Sequence, residues 1–200
     1  MSINVCNDRS MASITSLPSG VSGGSLVLLE TQTASSSATI SFTSNIDSTY
    51  KEYIFKFIDI HPSSNDGIFS FQVETGTNSD YNQTITSTFF GAYHNEAGSD
   101  TALNYFGSSD LAQSTNFQRL IESGNGNDES ASGTLHLFDP ASTTFVKHFM
   151  GSGQCYQRSD YSQQHHYAGY INDTTAITRV QFKMSTGNID AGTIKMYGVS

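Results

Sequence analysis

Tryptophan is absent from these 200 residues, cysteine occurs twice, proline three times, and charged residues make up only 14% of the chain. Two cysteines, Cys6 and Cys155, cannot build a disulfide framework, so a stapled fold is excluded and a reducing compartment is expected. No apolar run approaches the length of a membrane span. The opening residues, MSINVCNDRSMASITS, hold no hydrophobic stretch long enough for a secretory signal, so folding in the cytoplasm without export is expected. Without such a signal the sequons at Asn82 and Asn172 carry no weight. Cations are few as well: nine Lys and Arg are scattered singly against 18 Asp and Glu, for a formal charge of −9. Nucleic-acid binding needs clustered cations that displace phosphate counterions, and an anionic membrane surface repels an acidic chain, so neither partner is expected.

What is present is a mixture of Ser, Thr, Asn and Gly with 13 Phe and 10 Tyr. Aromatic and β-branched residues fit a pleated surface and the small polar ones fit turns, so strands are favoured over helices. At this length one core suffices, burying roughly 70% of the surface an extended chain would show. Residues 1–24 read as an extended N-terminal arm, small and polar, broken by Pro18 and ending in the linker-like SGVSGGS. From Ser25 to Ser200 short apolar runs alternate with turn-rich gaps, as one domain. SLVLLE, ATISFT and EYIFKFIDIH open the series. In EYIFKFIDIH, Tyr53, Phe55 and Phe57 fall on one face and Ile54, Ile58 and Ile60 on the other, which predicts a central strand covered on both sides. SSNDG then turns the chain into a hairpin partner, IFSFQVE, with Phe69, Phe71 and Val73 inward and Ser70, Gln72 and Glu74 outward.

Further strands are expected at TITSTFFGAYH, ALNYFG, GTLHLF, TTFVKHFM and QHHYAGYI, and TRVQFKM with GTIKMYGV is expected to form a terminal hairpin. SDLAQSTNFQRLIE is the one helix candidate, and its NFQRLIE part reads equally as a strand. About ten strands at short spacing predict an all-β fold, an antiparallel β-sandwich of jelly-roll-like form.

No chemistry-bearing motif stands out. Adjacent strand residues point to opposite faces, so His165 and His166 cannot readily chelate one ion, and His136 and His148 fall opposite the inward Leu135, Leu137, Phe145 and Phe149. Cys155 with one histidine is a thin basis for a metal site. SNDG, TNSDYN, GNGNDES and GNID offer calcium-like oxygens, but none has the EF-hand spacing, and turn formation explains them. There is no G-x-S-x-G, no phosphate-binding P-loop and no dinucleotide fingerprint, so neither an enzyme nor a cofactor is expected. Tyrosines, histidines and glutamines do crowd CYQRSDYSQQHHYAGY. Tyr156, Tyr161, His165, His166, Tyr167 and Tyr170 are the candidate binding residues, since flat apolar faces beside hydrogen-bonding tips suit sugar and protein surfaces.

The runs SLVLLETQTASSSATISFTSNIDSTYKEYIFKFIDIHP and IFSFQVE and the closing GTIKMYGVS resemble small β proteins of tailed, mainly marine, bacteriophages, of the head-decoration or tail-fibre type. The resemblance spans about Ser25 to Ser200, and it rests on packing and turn segments with no catalytic residues to carry over. It implies a virion structural protein, most simply a capsid decoration or cement subunit attached through its arm to other virion proteins. A closed homo-oligomer, a trimer by preference, follows from that role. The alternative it implies is a receptor-binding module of a fibre, gripping a host-surface glycan.

Overall fold

The computed structural model describes residues 26–200, and the predicted arm at 1–24 lies outside them. Twelve strands follow one another: β1 (Leu26–Thr33), β2 (Ile40–Phe42), β3 (Glu52–Pro62), β4 (Gly67–Thr75), β5 (Ile85–Asn95), β6 (Thr101–Tyr105), β7 (Gln118–Ser123), β8 (Ala131–Phe138), β9 (Lys147–Gln157), β10 (Tyr161–Ile171), β11 (Ile177–Met184) and β12 (Ile189–Val199). All pair antiparallel, in an eight-stranded sheet ordered β1-β12-β3-β8-β9-β10-β5-β6 and a four-stranded sheet ordered β2-β11-β4-β7. The chain is therefore an all-β sandwich. Its eight-and-four division departs from the eight-stranded layout of a jelly roll.

The core is aromatic. Phe182 of β11 stacks on Phe69 of β4 at 5.5 Å and meets Phe55 and Phe57 of β3 at 5.4 and 5.3 Å, so one ring joins both sheets. Further along, Ile121 of β7 packs against the paired glycines Gly133 of β8 and Gly153 of β9, where any Cβ would overlap it or the neighbouring backbone. Those glycines let the small sheet approach the large one.

Both predicted hairpins are corrected. β3 and β4 lie in different sheets, and so do β11 and β12. Each pair is amphipathic with an apolar inner face, and burying both inner faces against one another satisfies them better than pairing edge to edge. The two crossings are tied together where Ser63 N–H donates to Asn188 O at 3.0 Å and Asn188 N–H donates to Ser63 Oγ at 2.8 Å.

Alternation along β3 also breaks, at a bulge where Asp59 takes φ +52°. The extra residue turns Ile60 inward to join Phe57, while Ile54 is half-buried and Ile58 exposed on the outer side. The strand is central, between β12 and β8, yet covered on one face only. The 109–122 stretch runs into β7, so the strand reading of NFQRLIE holds and the helical one fails. β9 begins only at Lys147, which leaves Phe145 in the preceding loop, 71% exposed instead of inward.

The largest surprise is β4. Ser70, Gln72 and Glu74, expected in solvent, are all buried. β7 pairs with β4 only as far as Phe71, and the chain closes over what lies beyond. Gln72 Nε2 donates to the carbonyls of Gln83, Thr115 and Asn116 at 3.0 to 3.2 Å. Glu74 accepts from Tyr81 N–H at 2.8 Å, Thr75 N–H at 2.8 Å and Gln83 Nε2 at 2.9 Å. Buried polar groups persist when fully bonded, and these two clamp the covering segments. Replacing Glu74 by Ala orphans those donors; denaturant unfolding is expected to show a loss of about 3 kcal/mol.

Candidate interaction face and the sites beside it

The two sheets bury each other's inner faces, and among the described residues no layer lies over the outer face of the eight-stranded sheet. Register fixes what projects there. One row across the strands reads Leu28, Tyr197, Ile54, His136, Met150, Ala168, Thr88, and a neighbouring row ends His166, Phe90, Tyr105. Leu28 is 52% exposed, Met150 53% and Leu103 74%, and Leu26, Ile58, Phe90 and Tyr105 are exposed with them. Of the exposed large apolar side chains among the described residues, Phe145 alone stands elsewhere.

Among the described strand residues short of the bulge at Asp59, this face carries Lys56 and Lys195 against Glu52, and the Asp110 carboxylate accepts from the Tyr105 hydroxyl at its β6 edge. Glu52 Oε1 lies 2.6 Å from His136 Nδ1, and Lys56 lies over the Tyr197 ring at 5.3 Å. In a chain of net charge −9, this face gathers seven of the eight exposed large apolar side chains among the described residues. A groove of about 410 Å³ crosses it, floored by Ala168 and Gly169 and walled by Phe138, His148, Met150 and Tyr170.

The six predicted binding residues do not form one patch. His166 stacks on Phe90 at 5.1 Å on the outer face, and Tyr170 stands beside His148 at the groove. Tyr156 and Tyr161 sit at the β9–β10 turn, where their hydroxyls donate to Asp160 Oδ1 at 3.0 Å and Asp100 Oδ2 at 2.8 Å. Those carboxylates raise both phenols, Tyr156 to about 12. His165 and Tyr167 point inward and are buried. Tyr167 donates to Thr134 O at 2.9 Å, and full burial pushes its phenol up. The period of two that separates His165 from His166 also separates Tyr167 from Tyr170. Leu28, Phe90, Leu103, Tyr105 and Met150 were missed, although strands apolar on both sides, such as EYIFKFIDIH, carried the signal.

No family model, curated protein or solved structure matches this chain. Among the described residues no three His, Cys, Asp or Glu side chains gather to hold a metal ion, and no helix is long and apolar enough to cross a membrane. Cys155 is buried, and desolvation followed by the nearby Glu122 carboxylate pushes its thiol up to about 12, which keeps it an inert thiol at neutral pH.

His165 is the perturbed base. Burial first, then the charges of Arg119 and His166, bring it from 6.5 down to about 4. The unfolded chain therefore binds a proton that the folded chain refuses between those two values. Stability from this group is fully present above pH 6.5 and falls as pH drops towards 4. Thermal melts of wild type and His165→Phe between those limits are expected to show a steeper acid-side loss in the wild type.

Proposed function

We propose that this chain is a structural subunit of a bacteriophage particle, of the capsid-decoration or cement kind. The supporting observation is the outer face of the large sheet, which no described residue covers, because contiguous apolar surface of this kind marks association sites. Its occupant in this reading is a second copy. The face carries Lys56 and Lys195, and most carboxylates of the described residues lie in the loops between strands, so this face against the acidic loops of a neighbour is the complementary pairing. Such a contact is heterologous and closes into a ring, a trimer by preference. The virion assignment draws on the resemblance of ISFTSNIDSTYKEY and GTIKMYG to phage structural proteins. The arm at 1–24 is the proposed tether to the shell, and no catalytic step is assigned.

A second reading, the receptor-binding module, draws on the groove beside Tyr170, His148 and Phe138. It requires few copies per particle and measurable adsorption to host cells. Labelled protein located on particles by electron microscopy separates the two, over the shell for the first and at a fibre or tail tip for the second.

Light scattering on the size-exclusion peak tests the assembly itself. A closed oligomer is expected for wild type, and Leu28→Glu with Met150→Glu is expected to give a monomer with an unchanged far-ultraviolet spectrum. A wild type that stays monomeric at every accessible concentration overturns this use of the face.

A further inference from the structure

The four-stranded sheet stops at β7, which lies over β9 and β10, while the eight-stranded sheet runs on through β5 and β6. The overhanging inner face is closed by residues 106–114, strapped along β5. Phe106 N–H donates to Phe89 O at 2.9 Å, Ser87 N–H to Leu111 O at 2.9 Å, and Ile85 and Ser114 exchange backbone hydrogen bonds at 2.8 and 3.0 Å. Leu111 N–H adds a bond to Ser87 Oγ at 2.9 Å. Between this strap and β7 the closure is incomplete, and a pocket of about 220 Å³ remains.

Its lining is unlike the rest of the interior. Arg119 Nη2 lies 3.1 Å from Glu122 Oε2, and Arg119 Nη1 donates to Ser108 O at 3.4 Å. Gln163 and Ser109 add neutral polar groups. His165 is wedged against Phe89 at 5.1 Å and Phe106 at 5.9 Å. It is only 6% exposed, and its Nδ1 has no hydrogen-bond partner among the described residues. Gln118 Oε1, beside Arg119 in sequence, is a second buried acceptor without a partner, although its amide donates to Ser109 O at 3.1 Å. Native structures rarely leave such groups unpaired, and His165, the one of these two that lines the pocket, points to a missing polar partner there.

Charge narrows what that partner is. The Arg119 and Glu122 charges cancel, and His165 is neutral at pH 7 because burial holds it near 4. An anion entering here meets Glu122 and a cation meets Arg119, so the pocket favours a neutral ligand that both donates and accepts. Its volume lies below the ~300 to 1,000 Å³ of pockets for drug-sized molecules, which leaves room for one small ring. The two phenyl rings supply the apolar wall against which the C–H face of a sugar packs.

We propose that this pocket binds a single neutral sugar ring, hydrogen-bonded by Arg119, Glu122, Gln163 and His165 and packed against Phe89 and Phe106. The site lies on the inner side of the sheet, away from the exposed face, and does not depend on the assembly reading. It is preformed, because the strap is bonded to β5 along its length.

The test is a titration of the full chain with glucose, galactose, mannose, N-acetylglucosamine and N-acetylgalactosamine, with acetate and inorganic phosphate as charged comparators, following the backbone amide resonances of the pocket residues Phe89, Phe106 and Ser109, which every variant keeps. Saturable shifts from at least one sugar are expected at about 1 to 10 mM, with none from the anions. The methyl glycoside of the binding sugar separates a free monosaccharide from the end residue of a glycan. His165→Phe, which removes the unpaired nitrogen while keeping a ring, and Glu122→Gln, which unbalances the charges, are each expected to weaken binding about tenfold. His165→Phe is also expected to melt no lower than wild type, which separates loss of a ligand contact from loss of fold. Should His165→Phe fail to fold, Glu122→Gln at its half-exposed position carries the comparison. No saturable shift from any sugar, equal or tighter binding of acetate or phosphate, or unchanged sugar affinity in the folded variants overturns the proposal.

Discussion

Two sheets of unequal width can cover each other only as far as the narrower one reaches, and most of this molecule's character follows from that mismatch. Eight strands facing four leave strands of the large sheet beyond the edge of the small one. An inner face rich in Phe89, Tyr167 and Ile85 cannot stay wet at tolerable free energy. Loops are therefore recruited as a makeshift third layer: residues 106–117 cover β5, and residues around Tyr81 and Gln83 join them against β4. Loops carry backbone groups that need partners. The buried Gln72 and Glu74 supply them, which is why polar side chains sit where a regular strand would show solvent-facing ones.

The same mismatch sorts the titratable groups. Lys147, at the inner start of β9, is buried and donates to the carbonyls of Asp173 and Thr175; burial lowers its pKa, and the carbonyls hold it in place. It anchors the β10–β11 connection as Gln72 anchors the strap. His165, by contrast, lies where the patching is incomplete and lacks a full set of partners. Buried polarity with complete bonding is structural here, and at His165 buried polarity without it coincides with a hole in the covering layer.

Most strands were legible because hydrophobic alternation is a local property, and Phe55, Phe57, Phe69, Phe71, Val180 and Phe182 stand inward as their spacing required. Sheet membership was not, because which edge pairs with which is decided by contacts far apart in sequence; β3 with β4 and β11 with β12 look like hairpins until the second sheet is present. Single-residue bulges were equally invisible, and the one at Asp59 was enough to reverse Ile60. Burial of Gln72 depended on carbonyls 11 to 44 residues away in the chain, and that of Glu74 on Tyr81 and Gln83, seven and nine residues on. For the candidate site, alternation could have divided the Tyr and His cluster into an outer pair and an inner pair, while the outer face emerged only once eight strands were laid side by side. The arm at 1–24 lies outside the described residues and adds nothing to that comparison.

The position of β12 has a consequence for synthesis. This strand lies between β1 and β3, and it is translated after the other described strands. Until residues 189–199 emerge, β1 has no neighbour in its sheet, and one edge of β3 offers unpaired backbone groups to any other chain nearby. Until then the described part of the nascent protein carries a gap in its largest sheet. Ribosomes crowded on one message hold several such gaps within reach of one another, so timely arrival of β12 decides between closure within one chain and entanglement of several.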